Sequence, residues 1–257
     1  MTHILYILSL NYYLIKTKIE SKKGARMSSI FPSLISSDLL NLGNTIKNLD
    51  PYCVGYHIDI MDNHFVPSLT WGTMFVDAIS QATQNQLWIH LMVDNPASWI
   101  AKLQPIKSSS EKKTPANSRL AKNSIISFHL ESTKQPLDII QAIQQKQWRA
   151  SIAISPETPV TELIPYLPFI DHILLMSVHP GKSGQPFIPK TINKITKLQS
   201  YLAKQNKTQA ITIALDGGVT HANFASLVKL GIKDFAIASA LFDTLDPVQA
   251  LQKLQKL

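Results

Sequence analysis

Two histidines, two aspartates and two methionines fall in the middle or late in segments that otherwise read as buried strands. In GYHIDIM (55–61), His57, Asp59 and Met61 alternate with Ile58 and Ile60. Successive side chains of a strand point to opposite faces, so these three share one face. His90 and Met92 share a face of LWIHLMV (87–93) in the same way, and AITIALD (210–216) ends on Asp216, followed by Gly217 and Gly218. Buried charge is costly unless it is paired, hydrogen-bonded or bound to a metal. His57, Asp59, His90 and Asp216 supply two imidazoles and two carboxylates, a donor set suited to one divalent ion such as Zn²⁺, Fe²⁺, Mn²⁺ or Co²⁺. Two carboxylates on opposite sides of a cavity also provide an acid and a base for the two faces of one substrate carbon. A metal beside a carbonyl would polarise it and stabilise an enediolate. Taken singly, His90 reads as a satisfied core histidine and Asp216-Gly-Gly as a turn. Asp62, His64 and His129 read as loop residues or as residues standing behind a ligand. The face-matched set on several strands points to a site.

Those residues need elements to bring them together. Eight β-rich runs occur, over 30–36, 55–61, 87–93, 125–131, 149–155, 172–178, 210–216 and 234–240. Between them lie stretches with a period near 3.6, including 38–49, 74–82, 137–145, 189–202 and 223–230. The runs are almost continuously apolar, as strands covered on both faces should be. This rhythm predicts an α/β fold, a (β/α)8 TIM barrel. A doubly wound open sheet is the second choice, but it usually has a glycine-rich turn after its first strand, and FPSLISSDLL has no glycine. A barrel builds its active site from the C-terminal ends of its strands and the loops that follow. Ser33, Asp59, His90 and Asp216 would then converge on one mouth.

The chain has 257 residues, 45% of them hydrophobic, a mean hydropathy of +0.03 and a net charge of +8. Composition and length suit a single soluble barrel over 28–257, preceded by a leader at 1–27 that reads as dispensable. The excess charge is confined to two places. One is the leader, with Lys16, Lys18, Lys22, Lys23 and Arg26; the other is a Ser/Lys/Pro-rich stretch at about 105–123 that reads as a surface insertion. The rest of the chain is close to neutral, so neither a nucleic-acid partner nor a membrane partner is expected. The apolar run from Ile4 to Ile15 is shorter than the ~20 residues a bilayer span needs. A single cysteine, Cys53, fits a reducing, cytoplasmic setting.

Three further stretches could hold a phosphate: HPGKSGQPF (179–187), DGGV after the seventh run and IASALF (237–242) at the eighth. Backbone N–H groups bind phosphate in such loops, and glycine permits close approach. Together with PSLISSD, HIDIMDNHFVPSLTWG, HLMVDNP, FHLES and LLMSVHPGKSGQPF, these motifs resemble the ribulose-phosphate 3-epimerase family from about Ile30 to Phe242. The resemblance implies a pentose phosphate pathway enzyme that epimerises D-ribulose 5-phosphate to D-xylulose 5-phosphate at C3, using two aspartates and one divalent metal. By motif match, Asp59 and Asp216 are the acid and base, and His57, Asp59, His90 and Asp216 hold the metal. Ser33, His57 and His90 would contact a phosphorylated ketose, with Met61, Met92 and Met176 lining its pocket. Gly181, Lys182, Ser183, Gly184, Gly217, Gly218, Ala238 and Ser239 would surround its phosphate. The family is often oligomeric, which implies a homo-oligomer.

The sequence departs from the family pattern at several points. Asn63 stands where glycine is usual, and His179 where Glu or Asn is common. Lys182-Ser183 replaces Phe-Gly in the phosphate loop, and Ala238 replaces a glycine. A related ketohexose-phosphate 3-epimerase acting on D-allulose 6-phosphate, or a barrel that binds sugar phosphate without turnover, are the alternatives.

Overall fold

The computed structural model describes residues 28–103, 120–121, 123–206 and 210–257. The leader at 1–27 and most of the basic insertion lie outside the described residues. Eight parallel strands form the sheet: β1 (Ser29–Pro32), β2 (Gly55–Met61), β3 (Gln86–Met92), β4 (Ile125–His129), β5 (Arg149–Ile154), β6 (His172–Met176), β7 (Thr212–Asp216) and β8 (Asp234–Ile237). Each pairs with its sequence neighbour, β1 pairs with β8, and a parallel bridge between Ser33 and His57 joins β1 to β2 and completes the ring. The architecture is the expected TIM barrel.

Helices α1 (Leu42–Leu49), α2 (Thr73–Ala82), α3 (Pro96–Lys102), α4 (Pro136–Gln145), α5 (Thr191–Lys204), α6 (Phe224–Lys229), α7 (Ser239–Phe242) and α8 (Pro247–Gln255) alternate with the strands. Between β5 and β6 the connection is a 3-10 segment, Val160–Tyr166, with Pro165 inside it. Proline has no N–H to donate and disfavours a regular α-helix there. Local signals start two helices: Asn95 accepts from Ser98 N–H before Pro96, and Asp246 accepts from Gln249 N–H before Pro247.

Strand alternation divides the core in two. Tyr56, Ile58, Ile60, Ile89 and Leu91 pack outward in the large cluster shared with the helices. Phe31, Trp88, Ile125, Ala153, Leu174, Ala214 and Ala236 belong to the separate cluster that fills the barrel. Trp88 is its largest member. It is fully buried, meets Phe31, His57 and His172 edge to face, and donates its indole N–H to Ser127 Oγ at 2.7 Å. Replacing it with alanine would leave a void that the rigid strands cannot close. Trp88→Ala should reduce the unfolding free energy by about 3–5 kcal/mol, read from urea denaturation followed by circular dichroism.

Several strands stop earlier than their apolar runs. β1 ends at Pro32 and gives way to a 3-10 turn at Leu34–Ser36, β4 ends at His129, and β8 ends at Ile237 just before α7. The chain must turn outward at the rim to reach the helix layer, so ladder pairing ends there; Ser33 and Leu34 stay buried, whereas Leu130 and Ala238–Ala240 are half-buried. Ser33, His129 and Ser239 consequently stand on the rim. At the opposite end, Asp50 receives the Tyr56 and Thr83 hydroxyls at 2.8 and 2.7 Å. Burial pushes the neighbouring Cys53 thiol up to about 12, which leaves it unreactive.

Candidate active site

The register of β2 and β3 pairs Asp59 with His90, so the two side chains leave adjacent strands side by side. Asp216 terminates β7 across the ring. Ligand atoms of His57, Asp59, His90 and Asp216 all lie within 4.8 Å of one another. His57 Nδ1 lies 3.2 Å from Asp59 Oδ2, and His90 Nδ1 lies 3.1 Å from Asp59 Oδ1 and 3.4 Å from Asp216 Oδ2. Ser33 Oγ donates to Asp59 Oδ2 at 2.7 Å.

Electrostatics follow from this packing. Burial alone would raise the Asp59 pKa, but the flanking imidazoles of His57 and His90 hold it well below the usual carboxylate range. Burial alone would lower that of His90. Hydrogen bonds to Asp216 and Asp59 outweigh it and push the imidazole up to about 9. Both shifts describe one interaction: two carboxylates drawn onto shared cationic character. A divalent ion at the same point would satisfy them more fully, and the N₂O₂ donor set suits one. His57 Nε2 is buried with no hydrogen-bond partner, one more sign that the cluster is incomplete as protein alone.

The mouth above this cluster is a cavity. Ser33, Asp59, Met61, Met92, Met176 and Asp216 line its floor and walls. Gly181, Lys182, Ser183 and Gly184 line it from the loop after β6, Gly217 and Gly218 from the loop after β7, and Ala238 and Ser239 from the start of α7. His57 and His90 are fully buried beneath it. Gly217 and Gly218 have φ of 101° and 64°, and a Cβ on Gly218 would lie 2.5 Å from the Phe187 backbone, so neither conformation nor space admits a side chain.

The departures from the family pattern fit this backbone. Asn63 takes the left-handed conformation, φ 58°, that glycine usually supplies. In the phosphate loop the residues with positive φ are Gly181 and Gly184, at 112° and 75°; Lys182 and Ser183 lie outside that region. Ser183 Oγ shares a hydrogen bond of 2.7 Å with Ser36 Oγ, which joins the loop after β6 to the turn after β1. Ala238 has φ −106°, open to any L-residue.

The match to a family model decides the assignment: the model of the ribulose-phosphate 3-epimerase family covers residues 29–242. The chain belongs to the ribulose-phosphate 3-epimerase family. It is 30% identical to the ribulose-phosphate 3-epimerase of Bacillus subtilis, over 89% of this chain and 99% of that protein. It is likewise 30% identical to that of Mycobacterium tuberculosis, over 88% and 91%. Solved structures share the fold at low identity. A 3-hexulose-6-phosphate synthase aligns with a TM-score of 0.56 at 12% identity, covering 89% of this chain and 98% of that one. KGPDC from Streptococcus mutans aligns with a TM-score of 0.60 at 10% identity, covering 90% and 96%.

Within this epimerase-family barrel, His129 stands behind a candidate ligand, one of the two readings its sequence position allowed, whereas sequence reasoning passed over Glu131 beside it. His129 ends β4 fully buried, with Nε2 3.0 Å from His90 Nε2, and Glu131 Oε2 lies 3.2 Å from His129 Nδ1. The signal was available in FHLES, since His129 shares its strand face with Ser127, but nothing in a single sequence pairs it with His90. A second polar group lies within the barrel: His172 Nδ1 is 2.7 Å from Ser151 Oγ, and its Nε2 is 3.4 Å from Asp234 Oδ2.

Proposed function

We propose that the protein interconverts D-ribulose 5-phosphate and D-xylulose 5-phosphate by exchanging the C3 proton between Asp59 and Asp216. The observation that carries this reading is the convergence of His57, Asp59, His90 and Asp216 within 4.8 Å, at the mouth of a barrel of the epimerase family. Asp59 is held ionised by its imidazole neighbours, so it is ready to accept a proton at neutral pH. Ser33, which donates to Asp59 Oδ2, fixes the direction of the free lone pairs and stands within reach of the substrate. Asp216, from the opposite side of the ring, serves the other face of C3.

His57, Asp59, His90 and Asp216 would hold one divalent ion, Zn²⁺, Fe²⁺, Mn²⁺ or Co²⁺. When bound, it supplies Lewis-acid stabilisation of the negative charge that develops on the substrate oxygens. Met61, Met92 and Met176 face the cavity with polarisable thioethers that offer no acidic proton, so the carbanion-like carbon is not quenched from the walls. Backbone N–H groups around Gly181–Gly184, Gly217, Gly218 and Ser239 are the proposed phosphate cradle, with Lys182 adding a cation. Family membership also supports a cytoplasmic homo-oligomer as the working form. Among the described residues no helix is long and apolar enough to cross a membrane.

The test is a coupled assay with ribulose 5-phosphate and, separately, allulose 6-phosphate, on protein whose metal content is measured in the same preparation. Turnover of the pentulose phosphate with the higher kcat/KM is expected. Preference for the hexulose phosphate would move the assignment to the related epimerase, and tight binding without turnover of either would mark a non-catalytic barrel.

A further inference from the structure

The proposed metal site has a support that runs away from the cavity. His90 points Nδ1 at the carboxylates of Asp59 and Asp216 and Nε2 at His129 Nε2, 3.0 Å away. Two ring nitrogens at that distance share one proton, and the rest of the chain of contacts determines which ring carries it. The Nδ1 of His129 lies 3.2 Å from Glu131 Oε2, with Ser155 Oγ a weaker neighbour at 3.5 Å. An ionised carboxylate only accepts, so His129 must donate from Nδ1. A neutral imidazole has one N–H, which leaves His129 Nε2 as an acceptor. His90 must then donate from Nε2, so its Nδ1 is the nitrogen that faces the carboxylates, where a proton or a cation can sit between them.

Glu131 is itself held in place. Its Oε1 accepts the Ser155 N–H at 2.8 Å and the Thr158 hydroxyl, both from the segment after β5. The His129 ring is fully buried, lies against Phe65 with centroids 4.8 Å apart, and is tilted only 23° from the His90 ring. Each member therefore has one orientation available. Outer partners of this type fix the tautomer and the ring angle of ligating histidines.

We infer that His129 and Glu131 are positioning residues that hold His90 in its Nε2–H tautomer, with Nδ1 presented to a divalent metal between Asp59 and Asp216. This deepens the function proposed above and rests on its metal site. The measurement is Co²⁺ affinity by chelator competition, read from the visible absorption of bound Co²⁺, for wild type, His129→Leu, His129→Gln and Glu131→Ala. Leucine removes the acceptor and should weaken Co²⁺ binding ~10–100-fold, with Glu131→Ala in the same direction. Glutamine accepts through its oxygen and donates through its amide, so His129→Gln should stay within a few-fold of wild type. In ¹⁵N-histidine spectra of the Zn²⁺-loaded wild type, His90 should show a protonated Nε2 and a metal-bound Nδ1, a readout that needs no variant to fold. Wild-type Co²⁺ affinity in His129→Leu and Glu131→Ala, an equal loss in His129→Gln and His129→Leu, or His90 bound through Nε2 would each overturn the positioning role. Wild type that binds no Co²⁺ would instead remove the metal site beneath it.

Discussion

Asp59→Asn and Asp216→Asn should each lower epimerase turnover by ~10²–10⁴-fold, the range for losing a positioned general acid or base. The two variants should fail differently. Inversion at C3 needs proton removal on one face and delivery on the other. With one carboxylate replaced, the survivor can still remove the proton of whichever epimer presents it on the correct face, and return a proton to that same face. In D₂O, Asp59→Asn should therefore wash deuterium into C3 of one epimer, and Asp216→Asn into C3 of the other, without interconversion. Mass spectrometry of each sugar phosphate incubated alone reads this directly. The asymmetry separates proton transfer from a simple loss of metal, because a site emptied of its ion would suppress exchange of both epimers equally. Metal content of each variant completes the comparison. Exchange of both epimers by a single variant would contradict the two-carboxylate assignment.

Removing the metal with a chelator should abolish turnover, with recovery on adding back Zn²⁺, Fe²⁺, Mn²⁺ or Co²⁺. It should also expose a pH dependence of folding that the loaded protein lacks. In the metal-free site the His90 imidazole has its pKa pushed up to about 9 by Asp216 and Asp59. A group raised in the folded state stabilises fully below its unfolded pKa of ~6.5 and loses that contribution as pH climbs through 9. The contribution is on the order of 3 kcal/mol, and it is the same interaction that depresses Asp59, so it enters once. Burial pushes His129 the other way, down to about 4. The unfolded chain therefore binds the extra proton between 6.5 and 4, and stability falls as pH drops across that window. Stripped protein should be most stable near pH 6.5, with the melting temperature declining on both sides. With a cation in place of the His90 Nδ1 proton, the alkaline decline should vanish. A stripped protein whose melting temperature is flat from pH 6.5 to 9 would contradict the His90–carboxylate contact.

The alternation of polar and apolar residues made much of this site legible. His57, Asp59 and Met61 share a strand face by arithmetic alone, and so do His90 and Met92. Continuous apolar runs separated by helical periods left few sheet topologies to consider. The family motifs then lay over the same residues, and the strands formed where the runs lie. The ends of the runs were less legible: the apolar stretches beginning at Ile30 and Asp234 continue past β1 and β8 because apolar side chains such as Leu34 and Ala240 still pack against the core after ladder pairing stops.

What the sequence determined by itself is the inventory and the facing of its chemistry: two carboxylates and two imidazoles on strands that have to be buried on both sides, and a set of glycines in the loops that follow such strands. Tertiary structure alone decided the partnerships. Strand register set Asp59 beside His90, ring closure brought Ser33 to Asp59, and the packing of β4 and the loop after β5 put His129 and Glu131 behind His90. Local rules act over a few residues, whereas the contacts of Ser33 with Asp59, Asp59 with His90 and His90 with His129 join groups 26 to 39 positions apart. Only the closed barrel, with its fixed register, determines which of them meet.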